Sequence, residues 1–188
     1  MVLPLTYYGN PVLREKGALV ESVTPELEEF IENMFETMEE YRGIGLAAQQ
    51  VGRAIQLTVI DVRTAENRPS TLEIDGEEAD PNSLMPLVLI NPEVTPLNDP
   101  VIGPEGCLSF PEIYGDVTRP EQVHVKAMGG CGKPIKFVCG GLLSRCIQHE
   151  TDHLHGILFI DRMDRTSKTD ELREDLELLQ KETKAALE

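Results

Sequence analysis

The sequence has no tryptophan, and aromatic residues make up only 5% of its 188 positions. Any core it forms must therefore be mainly aliphatic. It is also short of positive charge, with 17 Lys and Arg against 33 Asp and Glu and a net charge of −16. Binding along a DNA backbone needs clustered Lys and Arg, so DNA is excluded as a partner. An anionic membrane surface is excluded for the same reason. No apolar run approaches the ~20 residues of a spanning helix. The N-terminal Met1-Val2-Leu3-Pro4-Leu5 lacks the basic lead and cleavage site of a secretory signal. Four cysteines, Cys107, Cys131, Cys139 and Cys146, are not needed as a disulfide framework in a chain of this size. The expected setting is a reducing cytoplasm with free thiols. There are no internal repeats, and the expected organisation is one domain spanning residues 1–188.

What is present falls into clear elements. Thr24 and Pro25 supply an N-cap and a first helical residue, and Glu26, Glu28 and Glu29 suit the positive end of the helix dipole. Leu27, Phe30, Ile31, Met34, Phe35 and Met38 then recur at helical spacing, a stripe that reads as core packing. Before this helix, Tyr7 to Arg14 reads as a turn followed by an extended piece. Ile55 to Val62 reads as a strand, half-buried at its start and covered on both faces at its end. Residues 63–83 are polar and acidic, a surface loop in which Ser70 to Ile74 is a marginal edge strand. Leu87 to Ile90 reads as a buried strand ended by Asn91-Pro92. A turn is expected at Gly103-Pro104, then strands through Val117 and through Val123, Val125 and Ala127. Gly129 to Gly132 reads as a hairpin turn with a return over Lys133 to Cys139. The last segment, 169–187, reads as a helix with a Leu172, Leu176 and Leu179 stripe.

The stretch that carries chemistry is Gln148-His149-Glu150-Thr151-Asp152-His153-Leu154-His155-Gly156. Residues four apart share a helix face, so His149 and His153 can grip one metal ion. Glu150, next to the first histidine, can act as a general base on water at that ion. Leu142, Leu143, Cys146 and Ile147 mark the helix as buried, and Gly156 suits its C-terminal cap. Catalytic metal sites use three protein ligands and keep one position open. Cys107, which follows a glycine, is the best third candidate, with His124 and His155 as competitors. Cys131 and Cys139 flank a hairpin without metal-ligand spacing. In Gly43 to Gly52 the Lys-Ser/Thr ending of a phosphate loop is missing. Gly43 and Gly45 read instead as places of close backbone approach, with the Gln50 amide as a nearby donor.

Three segments taken together, GIGLAAQQ at 43–50, EGCLS at 105–109 and QHETDHLHG at 148–156, resemble the signature motifs of the peptide deformylases. Their order matches, and so does the separation of Cys107 from His149. The similarity runs over roughly residues 5 to 165. The resemblance implies an α+β fold: mostly antiparallel sheets around a central metal-binding helix, with an N-terminal and a C-terminal helix. It implies hydrolysis of the formyl group from N-formylmethionine at the start of nascent polypeptides. Cys107, His149 and His153 would hold one divalent metal, most often Fe(2+), with Zn(2+), Ni(2+) or Co(2+) as substitutes, and Glu150 would serve as acid and base. The Gln50 side chain and the Leu108 N–H would stabilise the oxyanion. Ile44, Gly45, Gly106, Tyr114 and Gly115 would line a channel where the peptide pairs as an added strand. Leu142, Arg145, Cys146 and His149 would border the methionine pocket.

The chain departs from the family pattern at Gln49, where proline is frequent, and in the length of the acidic 63–83 segment. Some members dock on the ribosome through a basic C-terminal helix. Here the tail 165–188 holds five Lys or Arg against seven Asp or Glu, so a transient ribosome contact is not expected to run through it. Two rival readings remain open at this point. A zinc endopeptidase commonly takes its third ligand downstream of the helix, where Asp161 and Asp164 are available. A structural metal site would fill four positions with Cys and His.

Overall fold

The computed structural model describes residues 1–164 and 168–188. The start expected for the C-terminal tail, at residue 165, lies outside the described residues. The first long helix, α1 (Pro25–Glu40), begins as its residues dictate, with Thr24 Oγ1 accepting from the Leu27 N–H and Pro25 at the first position. Its stripe of Leu27, Phe30, Ile31, Met34 and Met38 is buried. Strands β1 (Gly45–Ala47), β2 (Leu57–Ile60), β3 (Ser70–Ile74), β4 (Glu77–Ala79), β5 (Leu87–Pro96), β8 (Gln122–Met128) and β9 (Pro134–Gly140) form one sheet. Its order is β1-β2-β5-β8-β9-β3-β4. The remaining strands, β6 (Pro100–Cys107) and β7 (Phe110–Pro120), form a separate two-stranded sheet. Every paired strand is antiparallel to its neighbour.

The helix α2 (Gly141–Leu154) lies between these sheets, followed by the short α3 (Phe159–Arg162) and the terminal α4 (Asp170–Ala186). Leu142, Leu143, Cys146 and Ile147 pack into the large-sheet core with Val123, Val125 and Phe137. A second core joins α1 to β2 through Met34, Leu57 and Val59. A third, around Phe110 and Phe159, joins β7 to α3, and the Leu172, Leu176 and Leu179 stripe of α4 packs on it. The fold is thus the α+β arrangement expected, with sheets around a central helix and helices at both ends.

Five local expectations are corrected. Pro11–Arg14 is a turn of 3-10 helix, because the Asn10 side chain accepts from the Val12 N–H and curls the chain. The strand expected to stop at Asn91-Pro92 runs on to Pro96; a bulge between Ile90 and Glu93, with Asn91 at φ 50°, absorbs the proline. Gly103-Pro104 lies inside β6, not at a turn. β2 is buried along its whole length, since the Thr58 hydroxyl donates to Leu46 O and, just before the strand, the Gln56 amide donates to Gly17 O and Leu154 O. Ser70–Ile74 is an inner strand between β4 and β9, with Leu72 in the core. The Ser70 hydroxyl accepts from the Leu143 N–H and the Glu121 carboxylate from the Gly141 N–H, so this segment helps cap α2.

Gly141, the first residue of α2, has φ 67° and sits against the Pro69 carbonyl, where a Cβ would collide with backbone. Gly141→Ala is therefore expected to lower stability by about 2–4 kcal/mol, from left-handed strain plus displacement of the cap strand. Urea unfolding checks this; a change below about 0.5 kcal/mol would show that the junction relaxes freely.

Candidate active site

α2 sets the site. His149 and His153, one turn apart, face the same way, with ring centroids 5.1 Å apart. The helix ends where Gly156 takes up φ 72° and its N–H bonds to His153 O. β6 delivers Cys107 at its last position, just before the Leu108–Ser109 turn into β7. The ligand atoms of Cys107, His149 and His153 all lie within 4.8 Å of one another. The Cys107 Sγ is 3.4 Å from His153 Nε2. Bonds of about 2.3 Å to sulfur and about 2.05 Å to nitrogen, at a tetrahedral angle, place two such donors about 3.5 Å apart. The donor set therefore fits a divalent metal ion in spacing and in chemistry, and among the described residues it offers three protein donors rather than four. His124 lies on β8 and His155 is exposed with its Nδ1 at Thr151 O. Cys131 is exposed on its hairpin, and burial pushes the Cys139 thiol up to about 12.

The anchor of the site is Glu105, which the sequence reading passed over. Its carboxylate is buried and accepts from Arg119 Nε at 2.6 Å, Arg119 Nη2 at 2.9 Å and Arg145 Nη1 at 2.9 Å. It also meets His149 Nδ1 at 2.9 Å, which leaves Nε2 as the free ring nitrogen of His149. Burial works against its charge, but bonds to His149 and Arg119 outweigh that and hold the carboxyl well below the usual range. Arg119 bonds onward to Asp152, which also binds Arg162. A signal for this anchor did exist, since Glu105 opens the EGCLS stretch within an otherwise uncharged strand, but its partners are distant in sequence.

Glu150 is buried, and among the described residues its Oε2 has no hydrogen-bond partner. Burial pushes its carboxyl up to about 7, against the pull of the His149 charge. A cation in the cluster acts in the opposite sense and favours the carboxylate. Burial also opposes charge on both imidazoles. At His149 the contacts with Cys107 and Glu105 outweigh it and raise the pKa; at His153 burial and the His149 charge lower it. Gly45 makes room for this carboxylate: a Cβ there would lie 2.6 Å from Glu150 Oε1 and 2.8 Å from Cys146 Sγ. Gln50 is held by the Ala47 N–H on its Oε1, which turns its Nε2 toward Cys107 Sγ at 3.3 Å and Ser109 Oγ at 3.3 Å. Gln49, the departure from proline, is fully buried and its amide donates to Glu15 O.

These groups open onto a cavity of about 540 Å³. Ile44, Gly45, Gly106, Leu108, Tyr114, Leu142, Arg145 and Cys146 all line it, together with Gln50, Cys107, His149 and Glu150. Two expectations change. Gly115 is not among the lining residues; it lies against Met163, on the side of β7 away from the cavity. Arg145 contributes to the wall, but its guanidinium donates to Glu105, Val101 O and Val117 O. The cavity also takes in Tyr7, Arg42, Arg68 and Glu112, which no motif marked.

A three-donor cluster open to a cavity, with an unpaired carboxylate beside it on an α+β scaffold, is the site of a metal-dependent hydrolase. The family profile for polypeptide deformylase matches residues 2–169. A peptide deformylase of Opitutus terrae is 45% identical over 188 residues, covering 99% of this chain and 97% of that one. One of Methylacidiphilum infernorum is 45% identical over 96% of this chain and 94% of its own. The crystal structure of a Synechococcus elongatus peptide deformylase in complex with actinonin superposes with TM-score 0.78 at 42% identity, covering 94% of this chain and 85% of that one. The chain belongs to the polypeptide deformylase family, metal-dependent enzymes that hydrolyse the N-formyl amide.

Glu105→Gln keeps the shape of the anchor but leaves the buried Arg145 without its carboxylate and Arg119 with Asp152 alone. The expected loss is about 3–5 kcal/mol of stability. Urea unfolding of both proteins measures it, and an unchanged midpoint would mean that the network contributes nothing to holding β6 against α2.

Proposed function

We propose that Cys107, His149 and His153 are the metal ligands of this deformylase, that Glu150 moves the proton, and that Gln50 and the Leu108 N–H stabilise the oxyanion. The observation that carries the reading is the unpartnered Oε2 of the buried Glu150, beside the three converging donors and on the wall of the cavity. The reaction removes the formyl group from N-formylmethionine at the start of newly synthesised polypeptides and releases formate. A divalent ion at the three donors supplies the Lewis acidity that makes water nucleophilic at neutral pH. Fe(2+) is the proposed native ion, with Zn(2+), Ni(2+) and Co(2+) able to replace it; a thiolate and two imidazoles suit all of these.

The chain's own groups do the rest. β1 is an edge strand of the large sheet, so an extended peptide can pair with it while β6 and Tyr114 close the other side. Leu142, Cys146 and the stem of Arg145 border the methionine side chain. The Gln50 Nε2, fixed by the bond from Ala47, and the Leu108 N–H at the β6–β7 turn meet the charge that develops on the formyl oxygen. One such preorganised donor is worth about 3 kcal/mol in acyl transfer. Glu150 accepts the proton of the attacking water and returns it to the departing amine. The buried Cys146 thiol, its pKa pushed up by burial and by Glu150, stays protonated and serves as pocket wall. The whole of residues 1–188 works as one domain, in the cytoplasm. Contact with the ribosome is transient and does not run through α4, whose first turn is acidic.

Glu150→Gln removes the proton acceptor and leaves the three ligands in place. Turnover of formyl-Met-Ala-Ser per bound metal should fall by about 10²–10⁴-fold with metal content unchanged. Near-normal turnover in a metal-loaded Glu150→Gln protein would remove this mechanism. Cys107→Ser should lose both metal and turnover, whereas Cys131→Ser should keep both. Stoichiometric metal and full activity in Cys107→Ser would refute the ligand set.

A further inference from the structure

The chain is rich in carboxylates, and its arginines find them. Six of the described arginines pair with Asp or Glu, and Arg53 lies over the Phe30 ring at 4.4 Å. Among the described residues only two arginines, Arg42 and Arg68, have neither partner. Both are exposed, and both line the reaction cavity. They reach it from different parts of the chain. Arg42 follows α1, and Arg68 precedes β3 in the acidic 63–83 segment. Of the acidic groups lining the cavity, Glu105 is saturated by its own cations and Glu150 lies inside at the donor cluster; Glu112 is the one exposed carboxylate on the wall. The outer cavity therefore carries two free guanidinium groups against one carboxylate, in a molecule of net charge −16. Arg42 is held at φ 55°, a left-handed conformation uncommon for a residue with a Cβ, and its N–H is tied to Glu39 O. The chain maintains that conformation while the side chain faces the cavity.

We propose that Arg42 and Arg68 form a carboxylate-recognising rim on the substrate channel, so that the enzyme favours formylated chains carrying Asp or Glu at the second or third residue. This rests on the deformylase reading, with formyl-methionine at the donor cluster and the following residues leading outward. Successive side chains of an extended peptide point to opposite walls, so each position meets a different side of the channel. A guanidinium offers a carboxylate paired donors in a plane, and neither arginine has an internal carboxylate to give up. A C-terminal carboxylate of a short peptide has the same chemistry, and amidated substrates separate the two sources. The plainer role for Arg42 is to offset the negative C-terminal end of α1, whose last turn has no basic residue. That role predicts altered stability and no substrate preference.

The test is kcat/KM of the metal-loaded enzyme on C-terminally amidated formyl-Met-Ala-Glu, formyl-Met-Ala-Lys, formyl-Met-Glu-Ala, formyl-Met-Lys-Ala and formyl-Met-Ala-Ser, the last also as free acid. At low ionic strength Glu should exceed Lys by about threefold to tenfold in at least one position, mainly through KM, and salt should shrink the ratio. R42E/R68E should reverse the preference, an outcome that only a folded and active variant can give. If that variant does not fold, R42Q and R68Q should each lower the ratio. Glu and Lys peptides within about twofold of each other at both positions would overturn the inference. A preference that these variants leave intact, or a gain confined to the free terminal carboxylate, would overturn it too. Failure on every peptide, the neutral amide included, would instead strike the deformylase reading and this inference with it.

Discussion

The site depends on one buried carboxylate. Glu105 lies on the two-stranded sheet, while Arg145 and His149 lie on α2, so its hydrogen bonds join the strand that ends in Cys107 to the helix that bears the histidines. Arg119, from the opposite strand of the same hairpin, makes the carboxylate bidentate and passes the charge balance on to Asp152 of α2. A buried charge left alone costs several kcal/mol, and this one is met from three directions. The same bond to His149 Nδ1 fixes which ring nitrogen is presented to Cys107. Without the anchor, the thiol on β6 and the imidazoles on α2 lose the carboxylate that ties the one element to the other.

Around that anchor the backbone supplies room rather than side chains. Gly45 lets the edge strand β1 lie directly against Glu150 and Cys146. Gly141 lets α2 start hard against Pro69, where Ser70 and Glu121 take up free helical N–H groups. Gly156 closes the helix against the Arg14 backbone, so the segment that bears both histidines is tied down at each end. The Glu150 carboxylate is thereby held buried with one oxygen unpaired among the described residues, a costly arrangement that a rigid frame can sustain.

Much of this was legible in the sequence where chemistry is local. The capped α1, the buried histidine helix with its glycine stop, and the close approach at Gly43 and Gly45 follow from residue type and spacing alone. What escaped was set by distant partners. Gln56 and Thr58 look like the wet side of a half-buried strand, but their side chains cap backbone groups brought from residues 17, 46 and 154. The Asn91-Pro92 pair looks like a strand end, and a bulge carries the strand past it. Arg145 looked like a pocket residue and does line the cavity, but nothing local foretold that Glu105 holds its head. The acidic 63–83 segment read as a surface loop with a marginal edge strand, yet it places Leu72 in the core and Arg68 on the cavity wall.

The central claim is that one thiolate and two imidazoles, and nothing else from the protein, hold the metal. X-ray absorption at the metal edge of the zinc-loaded enzyme tests it most directly. The account predicts one sulfur at about 2.3 Å, two nitrogens at about 2.0–2.1 Å and a remaining light-atom position that a hydroxamate changes. A shell without sulfur, or a closed shell of four protein donors unaffected by hydroxamate, would contradict it.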